Sequence, residues 1–500
     1  MKNTNSLLCL TFVLLLLVTN IRLFATTIHV PSQIQTIQEA IDISLNGDTI
    51  LVASGTYSGV GNYDIDFSGK KIVLKSANGA SNTIIDCMSI GRGFNFQSNE
   101  DSTAILDGFT IQNGFATDEY GNGGGIFCFW SSPLIKNCRI INNSSERGGG
   151  ISFISSNAII RDCIINFNNS NWAGGINLSS ASVEIYNSEI SYNTATYEGG
   201  ISVTMNSTLT INDCSINNNT SQGEAIDIYY GSNVNMKNCY VQNNTAIGIY
   251  ITNGSSLNMS NCLVSDNLSD GLRATNADQI NIVNSSVVFN NNWGIFSMNS
   301  TFNIKNSILY GNLNEQIYLQ SAPLPFIEYT NIENRLSGGI VGNINWGDGN
   351  MDVYPDFVDT LSKNYRLLPI SLCNAAGTLI GAPSNDLDYN VRPLPTGTNP
   401  DIGAFEVDQS IISIFESSLE STLKIYPNPF SNHTTLQVNK TLKDATLSIY
   451  NSVGHLSKRI TNINEQTITL QRDNLPVGLY FIELTDDNNM SISKKLIITN

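Results

Sequence analysis

Charge is scarce in this sequence. Only 13% of its 500 residues are Asp, Glu, Lys or Arg, about half the usual share, and Asn, Ser, Thr and Gly fill the difference. Histidine is scarcer still. His29, His433 and His455 all lie outside the repeated region described below, so no histidine base or metal-ligating histidine is offered there. No Cys-x-x-Cys pair or Cys/His cluster suggests a metal, and no Gly-x-Ser-x-Gly elbow suggests a serine nucleophile. The one long apolar run, from Leu7 to Val18, is too short for a transmembrane segment. With Lys2 before it and Ala25 behind it, residues 1–25 read as a secretory signal peptide. Its removal takes away Lys2 and Arg22, so the formal charge moves from −17 to −17 − 2 = −19. A chain this acidic argues against nucleic acid as a partner. It also repels polyanionic glycans except at a local basic patch or through a bridging cation.

What is abundant is repetition. With Cys138 as register zero, equivalent positions are Cys163, Ser188, Cys214, Cys239, Cys262, Ser285 and Ser307, spaced by 25, 25, 26, 25, 23, 23 and 22 residues. Five places on, the residue is Asn in every copy: Asn143, Asn168, Asn193, Asn219, Asn244, Asn267, Asn290 and Asn312. A second beat, Gly before Ile or Leu, recurs at Gly125, Gly150, Gly175, Gly200, Gly248, Gly271 and Gly294, with Ala225 filling the gap. A degenerate ninth copy precedes these, around Ile105, Gly108 and Asn113. Each copy holds three short apolar runs separated by corners. At one corner the period-2 alternation slips, and Asn or Asp stands there every time, from Asn137 to Asn306. Those residues tolerate turn geometry.

Three strands per turn at this period predict an all-β chain built on a parallel β-helix of about nine or more coils of 22–26 residues. Successive coils pair at about 4.8 Å, and stacking makes the continuous core that one coil cannot. The Asn column is expected to form an inward ladder. The inward cysteines are expected to be buried thiols acting as small apolar residues. "TIQEAIDISLNGD" (36–48) carries a short amphipathic helical pattern suited to capping the first coil. The predicted organisation is a cap and first coils over 26–100, repeats over 101–320, a closing region over 321–407, a linker over 408–422 and a final module over 423–500. Alternating apolar strands make that module a small β-sandwich on pattern alone.

The run "GDTILVASGTY" followed by "GKKIVLKSANGASNTIIDC" resembles the entry segment of secreted right-handed parallel β-helix proteins, a group that includes pectin-modifying enzymes. "DLDYNVRP" and "NPDIGAFE" resemble the closing region of bacterial surface proteins with that fold. The final module is similar to the type A C-terminal sorting domain of the type IX secretion system. The motif residues are Tyr426, Pro427, Asn428, Pro429, Gly454, Gly478, Tyr480, Lys494 and Lys495. That resemblance implies the type IX secretion machinery as a partner. It also implies a secreted product, extracellular or on the outer-membrane surface of a Gram-negative bacterium.

Two groups of residues are candidates for function, and neither calls for a cofactor or a metal in the first instance. Position two after the Gly beat points outward and includes Asp227, Tyr250 and Arg273, with Tyr229 near. Loops before the beat carry Trp172, Tyr197 and Trp293. Aromatic faces flanked by polar groups suit sugar rings, which favours a carbohydrate-binding or adhesion scaffold for a polysaccharide or host-cell glycan. The alternative is a uronate lyase of the pectin or alginate type. Its base would come from Lys136, Arg161 and Arg139, with Glu184 and Glu189 beside them in one compact patch, and Ca²⁺ is relevant only to this alternative. The hydrolase and epimerase variants of the fold would want Gly-His-Gly with a close Asp pair, or Asp-Pro-His. The sequence has neither.

Deleting residues 423–500 is expected to leave the chain in the periplasm of its native host, as read by fractionation and surface proteolysis. Normal surface display of the truncated chain would overturn the sorting-domain reading.

Overall fold

Left-handed backbone turns make the corners. The residue before register zero has φ near +50° in every copy (Asn137, Asp162, Asn187, Asp213, Asn238, Asn261, Asn284, Asn306), and so does the residue four after it, from Asn142 to Asn243 and on to Phe289. A third set, including Ser155, Ser180, Tyr230, Asn253, Asn276 and Asn299, turns the chain again. Asn and Asp tolerate that conformation better than other non-glycine residues, which accounts for their abundance. The computed structural model describes residues 25–116, 121–408, 423–438, 441–451, 456–485 and 491–499. The signal segment therefore lies outside the described residues, apart from Ala25, as do Gly454, His455 and nearly all of the linker.

Between corners run three parallel sheets of 14, 12 and 12 strands, here called A, B and C. Sheet A includes Leu134–Lys136, Ile159–Arg161 and Ser182–Tyr186, and sheet B includes Arg139–Ile141, Ile164–Asn166 and Glu189–Ser191. Sheet C includes Ile126–Phe129, Ile151–Ile154, Ile176–Ser179, Glu198–Thr204, Glu224–Ile228 and Ile247–Thr252. Coil strands extend in both directions beyond the repeats legible in sequence, from Thr27–Val30 to Asn345–Trp346. Between sheets B and C, three coils carry a small extra ladder of Ser144–Arg147, Asn169–Trp172 and Thr194–Ala195. Helix α1 (Ile37–Ile43) covers the first coils, and the Thr36 hydroxyl accepts from the Glu39 amide as its N-cap.

The Asn column is an inward ladder. Asn219 Oδ1 accepts from both the backbone amide and Nδ2 of Asn193, at 3.0 and 3.1 Å. Its own Nδ2 donates to Ile190 O at 2.9 Å and to Asn244 Oδ1 at 3.2 Å. The pattern runs from Asn143 to Asn312, with Gln316 as the last rung, and the eight Asn side chains are buried. The Gly beat is its counterpart. A Cβ built at Gly175 would stand 2.6 Å from Gly200 O and 3.2 Å from Asn193 Nδ2, and one at Gly271 would stand 2.7 Å from Asn290 Nδ2. The eight described cysteines are free and buried.

The closing region lies on the outer face of sheet B. Phe357, Tyr365, Leu387 and Phe405 pack there on Leu263, Val288 and Ile308. Its motifs act through buried carboxylates. Asp386 accepts from the amides of Asp388, Asn390 and Glu406, Asp401 from those of Ala375 and Val407, and Arg392 pairs with Glu406 at 3.2 Å. The C-terminal unit has its own core between antiparallel sheets of three and four strands. In it Asn428 of the Tyr-Pro-Asn-Pro motif donates to Lys495 O and accepts from Ile497 N, each at 2.8 Å. Tyr480 is buried, with its hydroxyl on Pro476 O.

Asn219→Leu strands four hydrogen-bonding groups in a dry core. The expected loss is about 2–5 kcal/mol, read by thermal or denaturant melting, and unchanged melting would mean the ladder carries no stability.

Candidate functional site

Strict register turns each outward position into a column along the rod. On sheet C the column reads Phe127, Ser152, Asn177, Ser202, Asp227, Tyr250, Arg273, Phe296 and Tyr318, each paired with the next. Its middle is overhung on one side by Arg147 and Trp172 of the extra ladder, and on the other by Ile154, Ser179, Thr204, Met205 and Tyr229. Between these walls lies a trough of about 170 Å³ whose floor includes Asn177 and Ser202. Trp172 and Tyr197 stack with ring centroids 3.9 Å apart. Farther along, Trp293, Phe296 and Tyr318 pack on one another, and the Arg273 guanidinium lies 5.4 Å over the Phe296 ring.

Three carboxyl groups gather at this face. Glu198 and Glu224 are register partners on adjacent coils, as are Ser202 and Asp227. Burial pushes both glutamates up to about 7. Asp227, 7% exposed, is raised well above the usual range, first by burial and then by Glu224 and Glu198. Its Oδ1 has no hydrogen-bond partner. A buried polar atom left unmatched costs about 1–3 kcal/mol, so an unmatched Asp on the outward face of a sheet points to something outside the fold. Arg273 is held by Asp270 at 2.6 Å, and Asn292 donates to the same carboxylate. The Tyr229 phenol is also raised, chiefly by burial.

Of the binding candidates, Asp227, Tyr250 and Arg273 stand in successive register, while Tyr229 and Trp172 line the trough and Tyr197 stacks on Trp172. Trp293 lies beyond the trough and donates to Glu315. Sequence reasoning missed Glu198, Glu224 and Asp270. The available sign was an acidic residue one or two places before the Gly beat, where Gly148, Gly149, Ala173 and Gly174 stand in other coils.

The compact lyase patch does not form. Lys136, Arg161 and Glu184 are on sheet A, but Arg139 and Glu189 are on sheet B. The left-handed corner at Asn137 and Asp162 turns the chain between positions −2 and +1, so two outward residues face different ways. Lys136 lies 3.5 Å from Asp107, and Arg161 stacks 4.3 Å over the Tyr186 ring, whose hydroxyl bonds Glu184.

A larger groove, about 660 Å³, follows that corner beneath the closing region and includes Asp162, Glu189, Asp213, Tyr240, Asp388 and Tyr389. Its acids are satisfied within the fold. Asn187 and Asn238 donate to Asp162 and Asp213, Ser191 to Glu189, and Arg366 grips Asp388 with two bonds. The smaller trough, whose floor residue Ser202 has Asp227 with its unmatched Oδ1 as register neighbour, is the better candidate. Among the described residues, no group of three or more His, Cys, Asp and Glu side chains is placed to hold a metal ion. No helix there is long and apolar enough to cross a membrane.

Comparison with known proteins identifies both units. Residues 174–323 match the right handed beta helix region, and residues 424–499 match the secretion system C-terminal sorting domain. The chain is a right-handed β-helix protein with a type IX sorting domain, and that domain makes it a secreted or cell-surface protein. An endo-acting ulvan lyase of Formosa agariphila is 32% identical over 98 residues, and the match spans 19% of this chain and 17% of the lyase. Pectate lyase Pel9A shares 14% identity at a TM-score of 0.46, covering 74% of this chain and 90% of that one. The A-module of mannuronan C-5 epimerase AlgE6 of Azotobacter vinelandii shares 11% at 0.37, covering 64% and 94%.

Glu198 and Glu224 make stability depend on pH. The unfolded chain loses these protons near pH 4.3 and the folded chain near 7, so the folded state binds more protons in between. Their stabilising contribution is complete below the lower value and is lost as pH rises through the upper one, by roughly 1–3 kcal/mol per group. Glu198→Gln with Glu224→Gln is expected to flatten the fall in melting temperature between about pH 5 and 8. An unaltered profile would place the charge elsewhere.

Proposed function

We propose that the protein is a cell-surface or released carbohydrate-active enzyme, a lyase that works on a uronate-containing saccharide in the trough of sheet C. The observation that carries this reading is the buried Asp227, with its Oδ1 unmatched and its carboxyl held well above the usual range, beside Glu198 and Glu224. Uronate elimination needs three things: relief of the substrate carboxylate's charge, a base for the proton next to it, and an acid for the departing oxygen. A protonated Asp227 can donate a hydrogen bond to the carboxylate and make the adjacent carbon a better acid. A glutamate that titrates near 7 is well matched to take that proton at neutral pH. The C4–O bond then breaks as the C4–C5 double bond forms, and the Tyr229 phenol, held protonated by burial, supplies the leaving oxygen with its proton. Arg147, which makes no ion pair among the described residues, is placed on the wall to anchor a neighbouring uronate. The likeness to a named polysaccharide lyase supports the same substrate class.

A second reading, a binding scaffold, is favoured by the Trp172–Tyr197 stack. The two part on product. The full chain incubated with a panel of uronate polysaccharides is expected to release unsaturated ends, read by ultraviolet absorbance. Asp227→Asn and Glu224→Gln are expected to lower the rate about 10²–10⁴-fold, while Lys136→Ala and Arg161→Ala leave it unchanged. Retention without product, weakened by about 1–3 kcal/mol in Trp172→Ala, would favour the scaffold. Product lost with Lys136 or Arg161 would move the chemistry to sheet A.

A further inference from the structure

The floor of the trough changes character along the rod. Ser152, Asn177, Ser202 and Asp227 are short polar side chains, all under 8% exposed, and Asn177 Nδ2 donates to Ser152 Oγ at 3.0 Å. At the next coil the same column becomes Tyr250, then Arg273, Phe296 and Tyr318. This bulky half is braced. Arg273 is tied to the fully buried Asp270 at 2.6 Å and lies over Phe296, while Phe296 stacks on Tyr318 at 5.7 Å with its plane turned only 10°. A low floor whose accessible rungs are Asn177, Ser202 and Asp227, roughly 10–15 Å, thus runs up against a wall of large, mutually held side chains. The space over Asn177 and Ser202 alone, about 170 Å³, lies below the ~300–1,000 Å³ of sites for drug-sized ligands and suits a short segment of a saccharide.

We infer that the trough is a dead end, with Tyr250 and Arg273 as its stop, and that the site takes the terminus of a saccharide chain instead of the middle of a long one. This rests on the trough being the saccharide site. The wall stands one coil beyond Asp227, so a ring over Asp227 has no room for a further ring toward Tyr250. On the other side the floor continues through Ser202 and Asn177 and ends at the fully buried Ser152, so at most about two more rings would lie there. Arg273 faces the blocked end, and a terminal uronate is the ligand whose carboxylate would meet it there. Asp270 already engages the Arg273 Nε, which leaves the outer guanidinium nitrogens for that contact.

The test uses the full chain with uronate oligosaccharides of two to eight units and with the parent polymer, read by calorimetry, product sizing and viscometry. Affinity is expected to rise with length to about three units and then level off, with short products accumulating from the start while polymer viscosity falls slowly. Tyr250→Ser places at the stop the residue the column already accepts at Ser152 and Ser202. It is expected to move the affinity plateau to longer chains and to speed the viscosity loss several-fold. Asn177→Trp fills the floor and is expected to abolish binding of every length while the melting temperature holds. Affinity that keeps growing through eight units, or a steep viscosity loss with few new ends, overturns the dead end but leaves the trough as the site. Failure of every length to bind overturns both readings.

Discussion

Everything in the rod depends on one lock, the fit of an asparagine amide into the space left by a missing side chain. Each rung's Nδ2 reaches a backbone carbonyl of the preceding coil and the Oδ1 of the next rung, and it can do so because the Gly beat leaves no Cβ in its way. The two strongest columns of the repeat are therefore one device. Hydrophobic burial drives the stacking but tolerates slippage between similar Ile, Val and Leu layers. A buried amide that finds its partners in one register only does not, since a shift would leave several polar groups unmatched in the core at about 1–3 kcal/mol each.

Fixed register is what makes an outer surface programmable. Once coils stack at a constant offset, a substitution at one outward position changes a single tile in a column while the inward layers stay as they are. On sheet C the tiles run from small to acidic to aromatic within five coils, and the extra ladder raises a wall beside the small ones. The buried carboxyls are affordable only because the scaffold's stability comes from elsewhere. Glu198 and Glu224 weaken the fold above their titration range, and no internal ion pair offsets them as Arg392 offsets Glu406. Glu198 does accept from the Ala173 amide at 3.2 Å, but strongly perturbed carboxyls gathered on an outward face are a usual mark of a working surface.

Most of the fold was legible because its causes are local or periodic. The left-handed corners call for Asn and Asp, the ladder for an invariant Asn, the close approach for Gly, and the sorting domain carries its own motif. The terminal coils were harder, since they keep the strand pattern but drop the Asn and Gly beats. The site was legible in part. Asp227, Tyr250 and Arg273 could be placed by counting from the Gly beat. Glu198 and Glu224 could not, because a register bulge between Glu198 and Ile201 brings them opposite each other, and that does not show in periodicity. The supposed basic patch failed for an equally physical reason: the corner that the slip in alternation marks at Asn137 lies between positions −2 and +1, so two outward residues three apart belong to different sheets.

Charge scarcity, the first feature of the sequence, acquires a local meaning at this face. A net charge of −17 argues against polyanionic ligands when spread evenly, but the field at a site is set by the groups within a Debye length, about 8–10 Å at physiological salt. At the trough burial holds Asp227 well above the usual carboxylate range and brings Glu198 and Glu224 up to about 7, Asp270 is spent on Arg273, and Arg147 carries no ion pair among the described residues. The strip thus carries less negative charge near neutral pH than its three carboxyls would in water. The same burial that makes Asp227 a hydrogen-bond donor also removes the repulsion that would keep an acidic sugar away. Proton uptake at the cluster and admission of an anionic saccharide are then linked: a rise in pH that ionises Glu198 and Glu224 restores the repulsion, while their charge holds the Asp227 proton more firmly.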